Sequence, residues 1–299
     1  MTQRVTDTLF IKNRLRDIKI LGNGIAGHLA QACLEASLSS STDQVTEMSF
    51  KFEDDDDFGF WSRGTFAFGT AVSYGPWRLT IEQVTVEQGR GRPNIVVKAP
   101  SRFVTRLRSQ TGERNWGKVD ISTWVRQRAN DVDMKHLVQP GLGSQEIVRE
   151  KPKGDKQEND WDLLTQVAKK RGAWCFEHAD TLVFARPSWL FNRAGLRQLS
   201  FTWNSQKRMS EALTEMPKFK DAPHRRDQEL TLKIVSDDMD SARPGDSVNL
   251  GGGVHRMGGG WIVTKAEYPL TRTAPVVLTC KRPVDPEPEK DTDPEKDDD

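Results

Sequence analysis

The sequence predicts a mainly β fold, interrupted by one small α+β region and closed by a disordered acidic tail. Three observations carry this reading. Short runs of alternating polarity, punctuated by Gly and Pro, fill both the first and the last thirds of the chain. Helix caps and apolar helical stripes are confined to the middle. Residues 283–299 repeat Asp-Pro and Glu-Pro and hold nine acids against two lysines.

An N-terminal arm, 1–19, leads into a first β region at 20–105. "ILGNGIAGHLAQACLEA" opens it with Gly22, Gly24 and Gly27 in a G-x-G-x-x-G spacing. In "SLSSSTDQVTEMSFKFEDDDD", Thr46, Met48, Phe50 and Phe52 share one parity and Glu47, Ser49, Lys51 and Glu53 the other, the pattern of a half-buried strand. "GTFAFGTAVSYG", "WRLTIEQVTVEQ" and "PNIVVKAP" add strands at short spacing, with turns at Gly75-Pro76 and "GRGRP". Such a series reads as a small barrel or sandwich.

The middle region, 106–192, carries two helices. "VDISTWVRQRAND" places Trp124, Val125 and Arg128 at helical spacing behind Asp120 or Ser122 as N-cap. A Gly/Pro-marked connection, "QPGLGSQEIVREKPKGDK", leads to "QENDWDLLTQVAKKRGAW". There Asn159 or Asp160 caps a stripe of Trp161, Leu164, Val167 and Ala168. Lys169, Lys170 and Arg171 suit the negative helix end, and Gly172 stands at C′. "WCFEHADTLVFA" then reads as a hairpin turning at residues 178–180. The flanking Trp161, Trp174 and Trp189 read as core anchors. A second β region, 193–282, contains "ELTLKIV", "SVNL", "GGWIVTKAEY" and "PVVLTCKR", with a strong turn at Arg243, Pro244, Gly245 and Asp246.

Composition narrows the function. The chain has 299 residues, 35% hydrophobic, with nine Trp and thirteen Phe, and a mean hydropathy of -0.66. Few aliphatics with many aromatics give thin cores that partner surfaces complete, so the chain reads as a subunit. The tail carries a net −7, leaving +8 on residues 1–282 of a chain whose total is +1. No Lys/Arg cluster interleaved with aromatics marks a nucleic-acid groove. Cys33, Cys175 and Cys280 lie far apart, as expected of reduced thiols. No secretory h-region and no membrane-spanning apolar run is present, which points to a cytosolic origin.

Catalytic and ligand motifs do not assemble. The glycine spacing suits a pyrophosphate-cradling turn only inside a β–α–β alternation. Here strand follows strand, so "LGNG" reads as a tight turn and no cofactor is assigned. His28, His136, His178, His224 and His255 sit in five separate segments and read as surface or turn residues. Residues 53–57, "EDDDD", could offer oxygens to calcium but lack the ligand spacing and glycine of a calcium loop. There is no Gly-x-Ser-x-Gly elbow, and no enzyme is predicted.

Residues 157–187, "QENDWDLLTQVAKKRGAWCFEHADTLVFARP", resemble the signature of phage tail hub proteins of the baseplate-hub and late-control D type. Gln157, Glu158, Asp160, Trp161, Leu164, Ala168, Gly172, Leu182 and Phe184 match its pattern, with Asn159 where Ser is common. "SARPGDSVNLGGG…GGWIVTKAEYPL", with Pro244, Gly245, Asp246 and Trp261, resembles the second barrel of that family. "ACLEASLSSSTDQVTEMSFKFED" resembles its first strands.

The resemblance implies two similar small β-barrels flanking the α+β region, and a homotrimer presenting six barrels to a sixfold tail tube. It implies a virion protein of the tail tip or baseplate, assembled in the bacterial host cytoplasm. Its implied partners are the tail tube protein, the central spike or tip protein, the tape-measure protein, and distal tail or baseplate wedge proteins. Two barrels also imply two sheets; a dimer, or a single continuous sheet across both regions, would refute that assignment. Two other functions stay open from sequence: a nucleotide-binding enzyme using Gly22, Gly24 and Gly27, and a peripheral receptor- or carbohydrate-binding tail protein using exposed Trp.

Overall fold

The computed structural model describes residues 14–288 except 26–27, 55–58, 60–63, 89–90, 151–157, 194–196, 205–206, 208–209, 211, 236–241, 253–256 and 272–273. The first β region holds β1 (Ile18–Ile20), β2 (Asn23–Gly24), a short helix α1 (His28–Ala32), β3 (Cys33–Ser41) and β4 (Glu47–Glu53). It continues with β5 (Ala71–Tyr74), β6 (Trp77–Thr80), β7 (Gln83–Glu87) and β8 (Asn94–Pro100). The middle region runs α2 (Arg102–Ser109), β9 (Arg114–Asp120), α3 (Ile121–Asn130), β10 (Lys135–Val138) and β11 (Ser144–Arg149). Then come α4 (Asp160–Lys170), β12 (Trp174–His178), β13 (Thr181–Ala185) and α5 (Pro187–Asn192). The second β region comprises β14 (Gln198–Thr202), β15 (Lys218–Lys220), β16 (Glu229–Ile234), β17 (Ser247–Gly251), β18 (Gly259–Pro269) and β19 (Val276–Lys281). The fold is mainly β with an α+β centre, as the sequence predicts.

Local chemistry explains the predicted elements. In β4, Met48, Phe50 and Phe52 point into the core while their neighbours are half-exposed or exposed. Helix α3 is capped by Asp120, whose side chain accepts from the Thr123 N–H, and α4 by Asn159, which accepts from Asp162. The β12–β13 hairpin turns through Ala179 at φ +57°.

In the middle region the sequence reading misses α2, β9, β10, β11 and α5. Helix α2 follows β8 directly, burying Phe103, Val104 and Leu107. β11, taken for a loop, pairs with β9, and β10 lies parallel to β13. These strands are specified by partners far along the chain, which local pattern does not show.

Both β regions lay down the same ladder order. In the first it is β1-β5-β6, then β7-β8-β4-β3, with β6 and β7 joined through Ile81 and Glu82 as halves of one bent strand. In the second it is β14-β17-β18-β19-β16-β15. The pairing is antiparallel throughout, except that β14 lies parallel to β17 where β1 is antiparallel to β5.

The two regions are not separate sheets. The second half of β18 pairs with β3, from Lys265 opposite Ser41 to Pro269 opposite Ser37. Each of these strands has an edge that its own region leaves uncovered, and pairing satisfies both rows of backbone groups. The expectation of two sheets is therefore corrected. One apolar core spans both regions, from Leu38, Phe50 and Trp77 to Trp261, Tyr268 and Leu278. A second core, around Trp124, Leu164, Val167 and Phe184, belongs to the middle region.

The acidic tail also begins later than the sequence suggests. Residues 283–288 lie along the middle and second β regions. Asp285 accepts from the Ser188 N–H at 2.8 Å and the Ser188 hydroxyl at 2.7 Å, and Glu287 pairs with Arg226 at 2.7 Å. Residues 289–299 lie outside the described residues. Among the described residues no helix is long and apolar enough to cross a membrane.

Candidate functional site

The residues of the 157–187 signature organise the middle region around one buried acid. Asp160 opens α4, where a carboxylate suits the helix dipole, yet it is only 1% exposed. Its oxygens meet Arg128 of α3 at 3.4 Å and Arg149 of β11. Arg149 also donates to the carbonyls of Gln110 (3.0 Å), Thr111 (2.9 Å) and Gly112 (2.5 Å). The Trp116 ring lies 5.0–5.6 Å from the guanidinium carbons of Arg114, Arg128 and Arg149. One carboxylate thus ties two helices, a strand and a loop. Glu158 beside it accepts from the Glu150 N–H at 3.2 Å and from Gln166 at 3.0 Å. Trp161 and Leu164 are buried in the middle core; Gln157 lies outside the described residues.

Gly172 ends α4 at φ +60°, and a Cβ there would collide with the Pro286 carbonyl oxygen. Two independent demands fix glycine at this position: the left-handed turn and the passing C-terminal segment. Of the other anchors, Trp174 and Trp189 are half-buried.

The second-region motif is a turn and an aromatic post. Gly245 turns at φ +89°, and the Asp246 carboxylate accepts from the Arg243 N–H at 3.1 Å. Burial pushes the Asp246 carboxyl up to about 6, against the pull of the Arg243 charge. Pro244 is buried beside it. Trp261 is fully buried; its indole N–H donates to the Met257 carbonyl at 2.7 Å, and the Arg282 guanidinium stacks 3.7 Å from its ring. The structure does not bring the Asp160, Gly172 and 244–246 groups into one cleft; each is a separate fastening.

Where β12 of the middle region meets β3 and β4, there is a polar joint that sequence reasoning missed. The Thr46 hydroxyl donates to the Glu177 carbonyl at 3.1 Å and lies 3.0 Å from the Ser40 hydroxyl. Ser40 in turn sits 3.4 Å from His178 Nδ1. Trp77 meets the His178 ring edge-on at 5.7 Å. Burial raises the Glu177 carboxyl to about 8. Burial, then the Arg243 charge, lowers His178 to about 3. Both side chains are therefore uncharged near neutrality. His178 is not the surface or turn residue the sequence suggests: it ends β12, an outer strand of the three-stranded β10-β13-β12 sheet, and is 4% exposed.

The glycine motif falls into a hairpin. Leu21 (φ +53°) and Gly22 (φ +81°) turn β1 back onto β2 in antiparallel pairing; Gly27 lies outside the described residues. The helix behind it has five residues and leads to an antiparallel strand, so the β–α–β alternation is missing here. Among the described residues no group of three His, Cys, Asp or Glu could hold a metal ion; Asp55, Asp56 and Asp57 are outside them.

No protein-family model matches the sequence, and no curated protein does. Solved structures do match. The 43 kDa tail protein of prophage MuSo2 from Shewanella oneidensis superposes with a TM-score of 0.58 at 10% identity, covering 89% of this chain and 98% of that one. The tail protein from Neisseria meningitidis MC58 gives 0.57 at 13% identity, over 89% and 95%. An E. coli component of the type VI secretion system, described as structurally similar to T4 bacteriophage tail proteins gp27 and gp5, gives 0.51 at 12% identity, over 88% and 76%. At such identities the likeness is one of fold, and it extends over nearly the whole chain. This chain has the fold of these phage tail proteins.

Proposed function

We propose that this chain is a structural hub subunit of a phage-type tail, three copies of which form a ring between a sixfold tail tube and a central spike or tip protein. The observation that carries the reading is internal repetition, two β regions with the same ladder order; their joining through β3 and β18 goes against the separate-sheet form in which that reading was expected. Three such chains present six near-equivalent surfaces, so a threefold ring meets a sixfold tube without strain at the contact. Tape-measure, distal tail or baseplate wedge proteins are the further neighbours of such a hub. The role is mechanical rather than catalytic, and its working residues are the fastenings at Asp160, Gly172 and 244–246.

Mass measurement on the purified chain, alone and with its tube and spike proteins, tests this. A trimer that binds both supports it; a monomer indifferent to both refutes it. Calorimetric titration decides the nucleotide alternative. Micromolar affinity abolished by Gly24→Val would favour an enzyme, but Gly24 lies in a hairpin strand rather than at a helix N-terminus.

A further inference from the structure

One pair in the glycine-rich turn has chemistry of its own: Asn23 followed by Gly24. Of the nine asparagines in the chain, Asn23 is the one that precedes a glycine. Asparagine is thermolabile because the next residue's backbone nitrogen can attack its carboxamide. Folded backbone normally keeps that N–H in a hydrogen bond, and any residue but glycine shields it with a Cβ. Gly24 has neither guard.

The ladder shows where the Gly24 N–H points. Ile20 stands opposite Asn23 and Lys19 opposite Gly24, and the Ile25 N–H donates to the Ile18 carbonyl at 2.9 Å. Hydrogen-bonded and non-hydrogen-bonded pairs alternate along an antiparallel ladder. The Ile18–Ile25 pair is hydrogen-bonded, so the Lys19–Gly24 pair is not, and the Gly24 N–H faces away from β1. The other edge of β1 agrees. There the Leu21 N–H donates to the Ala71 carbonyl at 3.0 Å, which turns the backbone groups of Lys19 toward Ser73 of β5. β2 is the end strand of its sheet, so among the described residues nothing takes the Gly24 N–H. Asn23 and Gly24 are both exposed.

We infer that Asn23 is a site of spontaneous deamidation in the folded chain. The Gly24 nitrogen gives up its proton to hydroxide and bonds to the Asn23 Cγ, and the side-chain nitrogen leaves as ammonia. A five-membered imide results. Water then opens the ring, at the side-chain carbonyl to give aspartate or at the backbone carbonyl to give isoaspartate. One water is consumed and one ammonia released, with no change of oxidation state. Either product adds a negative charge to the hairpin. Isoaspartate also adds a methylene to the main chain just ahead of Ile25, which is 1% exposed in the shared core. The added length shifts β2 out of register with β1 and breaks the Ile25–Ile18 bond. None of this depends on the ring reading.

The test incubates the full chain under native conditions at about pH 7 and about pH 9. Asn23 is followed by peptide mass, alongside a synthetic peptide of residues 18–28. The folded chain should convert Asn23 within about tenfold of the peptide's rate, and about tenfold or more faster than its other asparagines. Conversion should speed up about tenfold per pH unit, since the attacking nitrogen must first lose its proton. Gly24→Ala should slow it about tenfold or more by setting a Cβ beside the attacking atom. Asn23→Gln, which needs a larger ring, should remove the early mass change altogether. The aged wild-type chain should accept a methyl group from an isoaspartate methyltransferase and show faster amide exchange at Ile25. Conversion more than about tenfold slower in the folded chain than in the peptide, or no faster than at the other asparagines, overturns the inference. So does a rate that Gly24→Ala leaves unchanged.

Discussion

Replacing Asp160 by Ala would leave Arg149 without an acid and Arg128 with only the half-exposed Asp131 at 2.7 Å. Stranding buried guanidinium groups in this way costs about 3–5 kcal/mol, so chemical denaturation of Asp160→Ala should show a loss of that size. A loss below about 1 kcal/mol would mean the node is not a keystone. Asp160 was legible in the sequence through the resemblance, but its partners were not, because arginines default to solvent. The one available clue was parity: Arg149 follows Ile147 at the inward spacing of "SQEIVRE". The Glu177–His178 joint gives a second test at this scale. Glu177 keeps its proton in the folded chain up to about pH 8 but loses it near 4.5 when unfolded, so rising pH destabilises across that window. His178, lowered to about 3 from 6.5, acts in the opposite sense between those values. Asp246, raised to about 6, adds to the Glu177 trend below that pH. Between pH 6.5 and 8 Glu177 acts alone, and stability should fall there by about 1–2 kcal/mol. Glu177→Gln should flatten that decline in pH-resolved melts; an unchanged slope would reject the assignment.

At the scale of elements, caps and stripes were readable while pairings were not. Asp120, Asn159 and the Trp161–Leu164 stripe behave as their local chemistry dictates, since a helix end answers to residues within one turn. Helix α2 was missed although Phe103, Val104 and Leu107 stand at helical spacing, because it lies at a region boundary where strand texture fades. β10 and β11 had no such signal. Trp161→Ala should cost about 3–5 kcal/mol, read as a lowered melting temperature of the middle core; normal stability would contradict its 6% exposure. Gly172→Ala meets both a left-handed φ and the Pro286 carbonyl. It should release residues 283–288, seen as faster amide exchange there and at Ser188, whose N–H is held by Asp285. Protection that survives the substitution would show that the segment does not depend on this glycine.

Across the whole molecule, the β / α+β / β order was visible from texture, but the merging of the β regions was not. Nothing local in "ASLSSS" announces a partner in "TKAEYP". Because one core spans both regions, they should melt as a single unit. Leu38→Ala, at a position 0% exposed on β3 opposite Tyr268, should cost about 2–5 kcal/mol and shift both regions together in residue-resolved exchange. Independent melting would argue against a shared core.

That same pairing bears on synthesis. Partners in the β3–β18 ladder are separated by roughly 220 to 230 residues, so the outer edge of β3 stays bare until nearly the whole chain has left the ribosome. At about 5–20 residues per second this lasts from roughly ten seconds to most of a minute, long enough for bare edges on neighbouring nascent chains to meet. The strand left waiting is mostly serine at the positions concerned: Ser37, Ser39, Ser40 and Ser41, with Leu38 alone between them. A hydroxyl-rich edge holds water and gives a stray strand little apolar surface to grip. The serines that look unremarkable in the finished sheet are suited to guarding it while it is being made.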